Sequence, residues 1–241
     1  MILPDYVGGD VRERLREFGE IFVAFDDDGS GCLVTALRTD SGEWCVKHAV
    51  NERGSAAHAR GLAVHSAVRH TALVAAVQVV TGDAGPIVVY PWVQGERLRH
   101  NPILKELPIT TRLEIVDAVM EVHELVNDAG FVSIDFYDGN LLYDDRVHVI
   151  DVDEYRPAPF VLDTERTLGS TRFMAPEEFV RGATLDARTT VFQLGRAAAV
   201  LLGRLPDALA PIVERATHPD PSARYADAGA LLHAWRDKLT A

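Results

Sequence analysis

The chain has 241 residues, 47% hydrophobic and 25% charged, the composition of a folded globular protein long enough to bury a core in one domain or two small lobes. Its net charge of -12 argues against a surface that neutralises nucleic-acid phosphates or adheres to anionic lipid, so no nucleic-acid or membrane partner is expected and any bound phosphate must meet a local cation. Cys32 and Cys45 fall out of register on adjacent predicted strands and are expected as thiols in a reducing cytoplasm, and no signal pattern or run near the roughly 20 apolar residues of a membrane span is seen.

In chain order, Asp10 followed by Glu13 is a capping-box pattern that opens a short helix carrying Val11, Leu15 and Phe18 on one face. IFVAF, CLVTALR and EWCVKHA are rich in β-formers, and Thr39-Asp40-Ser41-Gly42 joins the last two, so residues 20–48 are predicted as a three-stranded meander. Ser55 is predicted to cap a helix to about Arg69. LVAAVQVVTG and PIVVYPW then make a fourth and a fifth strand.

Beyond Trp92 helices dominate. Thr111 with Glu114 predicts a helix whose face is Leu113, Val116, Val119, Val122, Leu125 and Val126, ending near Gly130. A small hairpin is expected at 141–151, with helices at about 188–203, 206–217 (Pro206 in its first turn) and 225–239. The expected architecture is α+β: a five-stranded antiparallel lobe with one main helix over 1–90, a connecting segment at 91–95, and a mainly helical lobe over 96–241.

The chemistry concentrates in SIDFYDGNLLYDDRVHVID, where Asp135, Asn140 and Asp151 surround a short hairpin. An acceptor, an amide oxygen and a second carboxylate there can orient a hydroxyl nucleophile and hold a divalent cation. A turn built from ordinary Asp, Gly and Asn turn chemistry is the competing reading of this segment.

In these residues, and in their order along nearly the whole chain, the sequence resembles the protein-kinase family. Asp135 and Asn140 stand five apart, as the catalytic-loop Asp and metal-binding Asn do, and Asp151 matches the Asp that opens Asp-Phe-Gly. Met174-Ala175-Pro176-Glu177 matches the close of the activation segment, and Val46-Lys47 matches the strand-end lysine. The resemblance implies a two-lobed kinase-like fold and transfer of the γ-phosphate of ATP, with Mg on Asn140 and Asp151. It further implies Lys47 on the α- and β-phosphates, Asp135 as the catalytic residue, and adenine against the backbone of Tyr90, Pro91, Trp92 and Val93. A structural pair between Arg224, after His218-Pro219-Asp220-Pro221, and Glu177 is implied as well. The phosphoacceptor is expected to be a Ser or Thr hydroxyl on a protein or, alternatively, a small molecule; a binding module without turnover on the same fold is the other alternative.

Several positions depart from the family pattern. Gly61 stands where the helix glutamate that pairs with the lysine is expected, and no acid occurs between Glu52 and Asp83. His-Arg-Asp is Ser133-Ile134-Asp135, so no arginine is present to read a phosphorylated activation segment, and none is required. Tyr137 replaces a lysine, Asp153 follows Asp151 and Val152, and Thr190 replaces an aspartate that braces the catalytic loop; a hydroxyl is the weaker brace.

FDDDGSGCLV, residues 25–34, remains to be placed. Asp26, Asp28, Ser30 and Gly31 fit a calcium loop, but its twelfth position is Leu37 where a bidentate glutamate is required. A turn between strands is compatible with the stretch. The family register puts it over the nucleotide, with Gly29 and Gly31 approaching phosphate and Asp26 and Asp28 at the two earlier glycine positions, their carboxylates turned to solvent or to a metal.

Overall fold

A computed structural model describes residues 2–26 and 29–240. Chain contacts divide it into two compact units, Met1–Ser66 with Val74–Gln94 and Ala67–Leu73 with Gly95–Ala241. Secondary structure is mixed α+β, with seven α-helices and a six-stranded sheet accompanied by smaller ones among the described residues.

In the first unit, β1 (Tyr6–Val7) and α1 (Val11–Leu15) precede β2 (Glu20–Phe25), β3 (Cys32–Thr39) and β4 (Gly42–Ala49). The long helix α2 (Glu52–Ala67), β5 (Gln78–Gly82) and β6 (Gly85–Pro91) follow. The sheet order is β1-β5-β6-β4-β3-β2. The meander forms as expected, with Cys32 opposite Ala49 and Cys45 opposite Ala36, so the two cysteines are not disulfide-bonded. Alternating residues of the strands place Leu37, Val46, Val80, Ile87 and Val89 on one side with Leu3, Val7 and Leu15, each at most 2% exposed. Fully burying such side chains contributes about 1.5–3 kcal/mol apiece.

Three expectations for this unit are corrected. The sheet has six strands rather than five and is not wholly antiparallel, because β1 joins β5 in parallel. Two residues are too few for a periodic signal, and β1 is held from outside: Thr81 N–H donates to Asp5 O, and Asp83 accepts from the Tyr6 hydroxyl and from Gly9 N–H. The α2 helix starts earlier than expected, since Asn51 Oδ1 accepts from Gly54 N–H and Asn51 takes the capping role assigned to Ser55. Finally, the fourth strand begins only at Gln78, whose side chain bonds Ile2 N, Leu3 N and Leu3 O; an unbroken apolar run concealed that start.

In the second unit, β7 (Glu96–Arg97), α3 (Ile103–Glu106) and α4 (Ile109–Asp128) lead to β8 (Phe131–Val132), β9 (Leu141–Tyr143) and β10 (Val147–Val149). The remaining elements are β11 (Arg156–Pro157), β12 (Phe160–Val161), β13 (Thr184–Leu185), α5 (Ala187–Leu202), α6 (Ala210–Ala216) and α7 (Ala228–Leu239). Helix α4 packs on α5 and α7. It buries Val116, Val119, Val122 and Val126 as expected, together with Ile115, Met120 and His123, whereas Leu113 and Leu125 stay half-buried.

Here α4 begins after Pro108, two residues before Thr111, and has no side-chain cap. The expected start of the 206–217 helix is also wrong. The Pro206 carbonyl accepts from Leu209 and Ala210 N–H in a turn, and Pro211 takes the first-turn place four residues before Arg215. The last helix starts at Ala228, capped by Asp227 accepting from Ala230 N–H, and α3 carried too few residues to be read. Gly203, at φ 68°, terminates α5 in a conformation that a side chain would oppose.

Candidate functional site

Asp135, Asn140 and Asp151 come together in the second unit. A single 3-10 turn, Asp138–Asn140, lies between β8 and the hairpin β9–β10. It brings the Asn140 side chain back so that Nδ2 donates to Asp135 O at 2.9 Å, while Asn140 O accepts from Ile150 N–H at 3.0 Å, one residue before Asp151. That assignment of the amide leaves Asn140 Oδ1 as the atom that could hold a cation, on a residue 6% exposed. Asp135 and Asp151 both adopt left-handed backbone, at φ 61° and 62°, which non-glycine residues take at a cost of about 1–2 kcal/mol.

Residues remote in sequence shape the surroundings of Asp135. A Cβ on Gly169 would sit 3.3 Å from Asp135 Cα and Oδ1, so the 169 segment lies directly on it. Arg172 Nη2 donates to both oxygens of the buried Asp138, at 2.9 and 2.7 Å, and Arg196 Nε donates to Arg172 O at 2.8 Å. The Tyr137 ring meets Phe173 edge-on, with centroids 6.4 Å apart. Burial first, then the charge of Asp135, raise the Tyr137 hydroxyl above its ordinary range; Arg99 and Arg97 oppose this, and Asp151 adds to it.

Behind the loop runs a buried chain of hydrogen bonds. Thr190 Oγ1 accepts from Ser133 N–H at 3.1 Å, is 3.1 Å from Ser133 Oγ, and receives a longer contact from Asn127 Nδ2 at 3.4 Å. Ser133 Oγ also lies 2.6 Å from Gln193 Oε1, and Gln193 Nε2 donates to Glu178 Oε2 at 3.1 Å. Glu178 further accepts from Ala175 N–H and from the Thr167 hydroxyl. Burial pushes its carboxyl up to about 7 against those donors, with the Glu177 charge adding to the rise.

The expected pair of Glu177 and Arg224 forms, with Nη1–Oε1 at 2.7 Å, Nη2–Oε2 at 2.9 Å and side chains 9% and 0% exposed. On the other side of the loop, His123 Nδ1 must donate to Val119 O, which leaves Nε2 to accept from the Tyr155 hydroxyl at 2.8 Å. The same imidazole lies 4.3 Å from Phe136, next to Asp135, and burial lowers it to about 4.

The first unit carries the residues expected to meet nucleotide. Lys47, half-buried on β4 between Val34 and Val88, has Nζ 5.8 Å from the Tyr90 ring centroid. Tyr90 and Pro91 are paired to Cys45 and Trp44, and Trp92 N–H donates to Glu43 O, so the edge of that segment that faces β4 is occupied as far as Trp92. Among the described residues the Val93 N–H makes no backbone hydrogen bond.

Gly31, at φ 82°, is placed by packing on the start of α2: a Cβ there would meet Asn51 Oδ1 at 2.3 Å and Gly54 N at 2.7 Å. Gly29, at φ 95°, has nothing within 4 Å of such a Cβ, and its carbonyl accepts from Arg53. Asp26 is 90% exposed at its side chain and pairs with Arg12 at 2.6 Å, in keeping with a carboxylate turned outward. The placement expected of Asp28 lies outside the described residues.

Hard oxygen ligands from Asn140 Oδ1 and Asp151 suit Mg, which takes one or two protein ligands and completes its shell with phosphate and water. Asp153, two residues after Asp151, is 6% exposed. Sequence reading missed Asp138, Arg172, Glu178, Gln193 and His123. One signal was available, since Gln193 stands three residues after Thr190 and so shares its helix face. No family model and no curated protein matches the chain. Among the described residues no helix is long and apolar enough to cross a membrane.

Proposed function

We propose that the chain is an ATP- and Mg-dependent phosphotransferase of protein-kinase-like fold, acting on a Ser or Thr hydroxyl of a protein in a reducing cytoplasm. The observation that carries this reading is the Asp135–Asn140–Ile150 hydrogen-bond link, which ties the backbone of Asp135 and of the residue before Asp151 to Asn140, with both acids on left-handed backbone. In it Asp135 would accept the hydroxyl proton and aim the nucleophile and Asn140 and Asp151 would hold the divalent cation, while Lys47 of the first unit is the lysine the resemblance implies for the phosphates. Bound MgATP supplies the phosphoryl group and the charge that neutralises it. Positioning and electrostatics provide the catalysis, which suits a site whose acids are held by backbone geometry rather than by surface rotamers.

A binding module without turnover is supported by one specific feature: the only acid of α2 is Glu52, in its first turn. Titration calorimetry with MgATP and transfer of labelled γ-phosphate separate the two readings. Asp151→Asn is expected to abolish Mg-dependent nucleotide binding, and Asp135→Asn to retain binding while transfer falls by at least about a hundredfold. Transfer that survives in Asp135→Asn refutes the assigned role. Tight MgATP binding with no transfer to any protein of an extract favours the binding module.

A further inference from the structure

Beside Asp135 lies a second charged feature, of opposite sign. Leu98 N–H donates to Leu141 O and its side chain is 0% exposed, whereas Arg97 and Arg99 on either side of it are exposed. Arg99 places its guanidinium carbon 5.5 Å from the ring centroid of Tyr137, two residues after Asp135. The charges of two carboxylates, Asp135 and Asp151, and of two guanidiniums, Arg99 and Arg97, all act on the Tyr137 hydroxyl.

Several other arginines of this acidic chain are committed to acids. Arg12, Arg38, Arg172, Arg188, Arg224 and Arg236 each form an ion pair. Stacking on an aromatic face orders Arg99 while leaving its outward N–H groups to a ligand. An acceptor carrying negative charge would be repelled by Asp135 and Asp151 unless a cation beside them compensates.

We infer that Arg97 and Arg99 form an acceptor subsite for an anionic group held next to the reacting hydroxyl, and that the acceptor is an acidic peptide segment. The inference rests on the phosphotransferase reading above. Both guanidiniums stand on an exposed strand end rather than in an enclosed cavity, which suits an extended chain.

The test uses labelled serine peptides that differ only in flanking Glu or Lys residues, with binding measured by anisotropy without nucleotide and transfer measured with MgATP. Wild type is expected to bind the acidic peptide in preference to the basic one, with affinity falling as salt rises. The double variant Arg97→Glu, Arg99→Glu is expected to bind about tenfold more weakly and to show a KM raised about tenfold, with kcat within about twofold and unfolding unchanged. Equal binding of the two peptides by wild type, or an unaltered preference in the double variant, overturns the subsite. Competition by free phosphate at the peptide's own affinity overturns the peptide assignment. Acidic-peptide binding that depends on Arg97 and Arg99 without any transfer supports the subsite and counts against the phosphotransferase reading, whereas transfer without charge preference does the reverse.

Discussion

Ser133 N–H is a fully buried donor two residues before Asp135, and its acceptor is a neutral hydroxyl, Thr190 Oγ1. A carboxylate would hold that amide more strongly, but it would add a buried charge close to Glu178, whose own carboxyl already resists ionisation. Thr190, Gln193 and Ser133 instead spread the task over neutral partners, each satisfied by the next. Thr190→Val keeps the shape and removes the acceptor, so it should cost about 1–3 kcal/mol through the stranded Ser133 amide. Thr190→Ser keeps the acceptor and loses a methyl, at about 1 kcal/mol. Urea midpoints give the comparison, and a valine variant no less stable than the serine variant would contradict the brace. Of this site, Asp135, Asn140 and Asp151 were legible because their spacing is local. Arg172, Glu178 and Gln193 reach it from 30 or more residues away, through packing that no local spacing encodes.

At the scale of elements, Gly31, just before β3, and the first turn of α2 define one another. Gly31 O accepts from Val50 N–H at 2.9 Å, and a Cβ on Gly54 would lie 1.9 Å from that same oxygen. Gly31→Ala must therefore meet both left-handed backbone and a collision with Asn51 and the Gly54 amide, and is expected to destabilise by about 2–4 kcal/mol. Gly29→Ala meets only the backbone term, about 1–2 kcal/mol, because its space is open. Denaturant unfolding of the two variants should separate them by at least about 1 kcal/mol, and equal losses would contradict the packing role of Gly31. Strands β2 to β4 were readable from their β-formers and the turn at Gly42. The start of α2 was not, since Asn51 and Ser55 are both good caps and only the tertiary approach of Gly31 selects the first. Pro206 and Pro211 pose the same choice, which tertiary contacts make at Pro211.

For the whole molecule, stability against pH follows from buried groups in both units. His48 in the first unit and His123 in the second are 4% and 0% exposed, and burial is the leading cause that lowers both to about 4. Each binds its proton more readily in the unfolded chain, so each favours folding above the ordinary histidine value of about 6.5 and loses that contribution as pH falls toward 4. For His123 alone the slope is about 1.4 kcal/mol per pH unit in that window. Glu178 acts in the opposite sense. With its carboxyl at about 7 it holds a proton that the unfolded chain has released, so its contribution is fully present below about 4.5 and is lost as pH rises through about 7. The histidines outweigh it on the acid side and it alone acts just above them, which puts the stability maximum near pH 6.5. Glu178→Gln should leave the acid limb steeper and remove the decline between pH 6.5 and 7.5. Chemical denaturation of wild type and Glu178→Gln from pH 4.5 to 8 measures this directly. Parallel profiles for the two proteins would mean that Glu178 is ionised in the folded chain throughout, with its three donors prevailing over its burial.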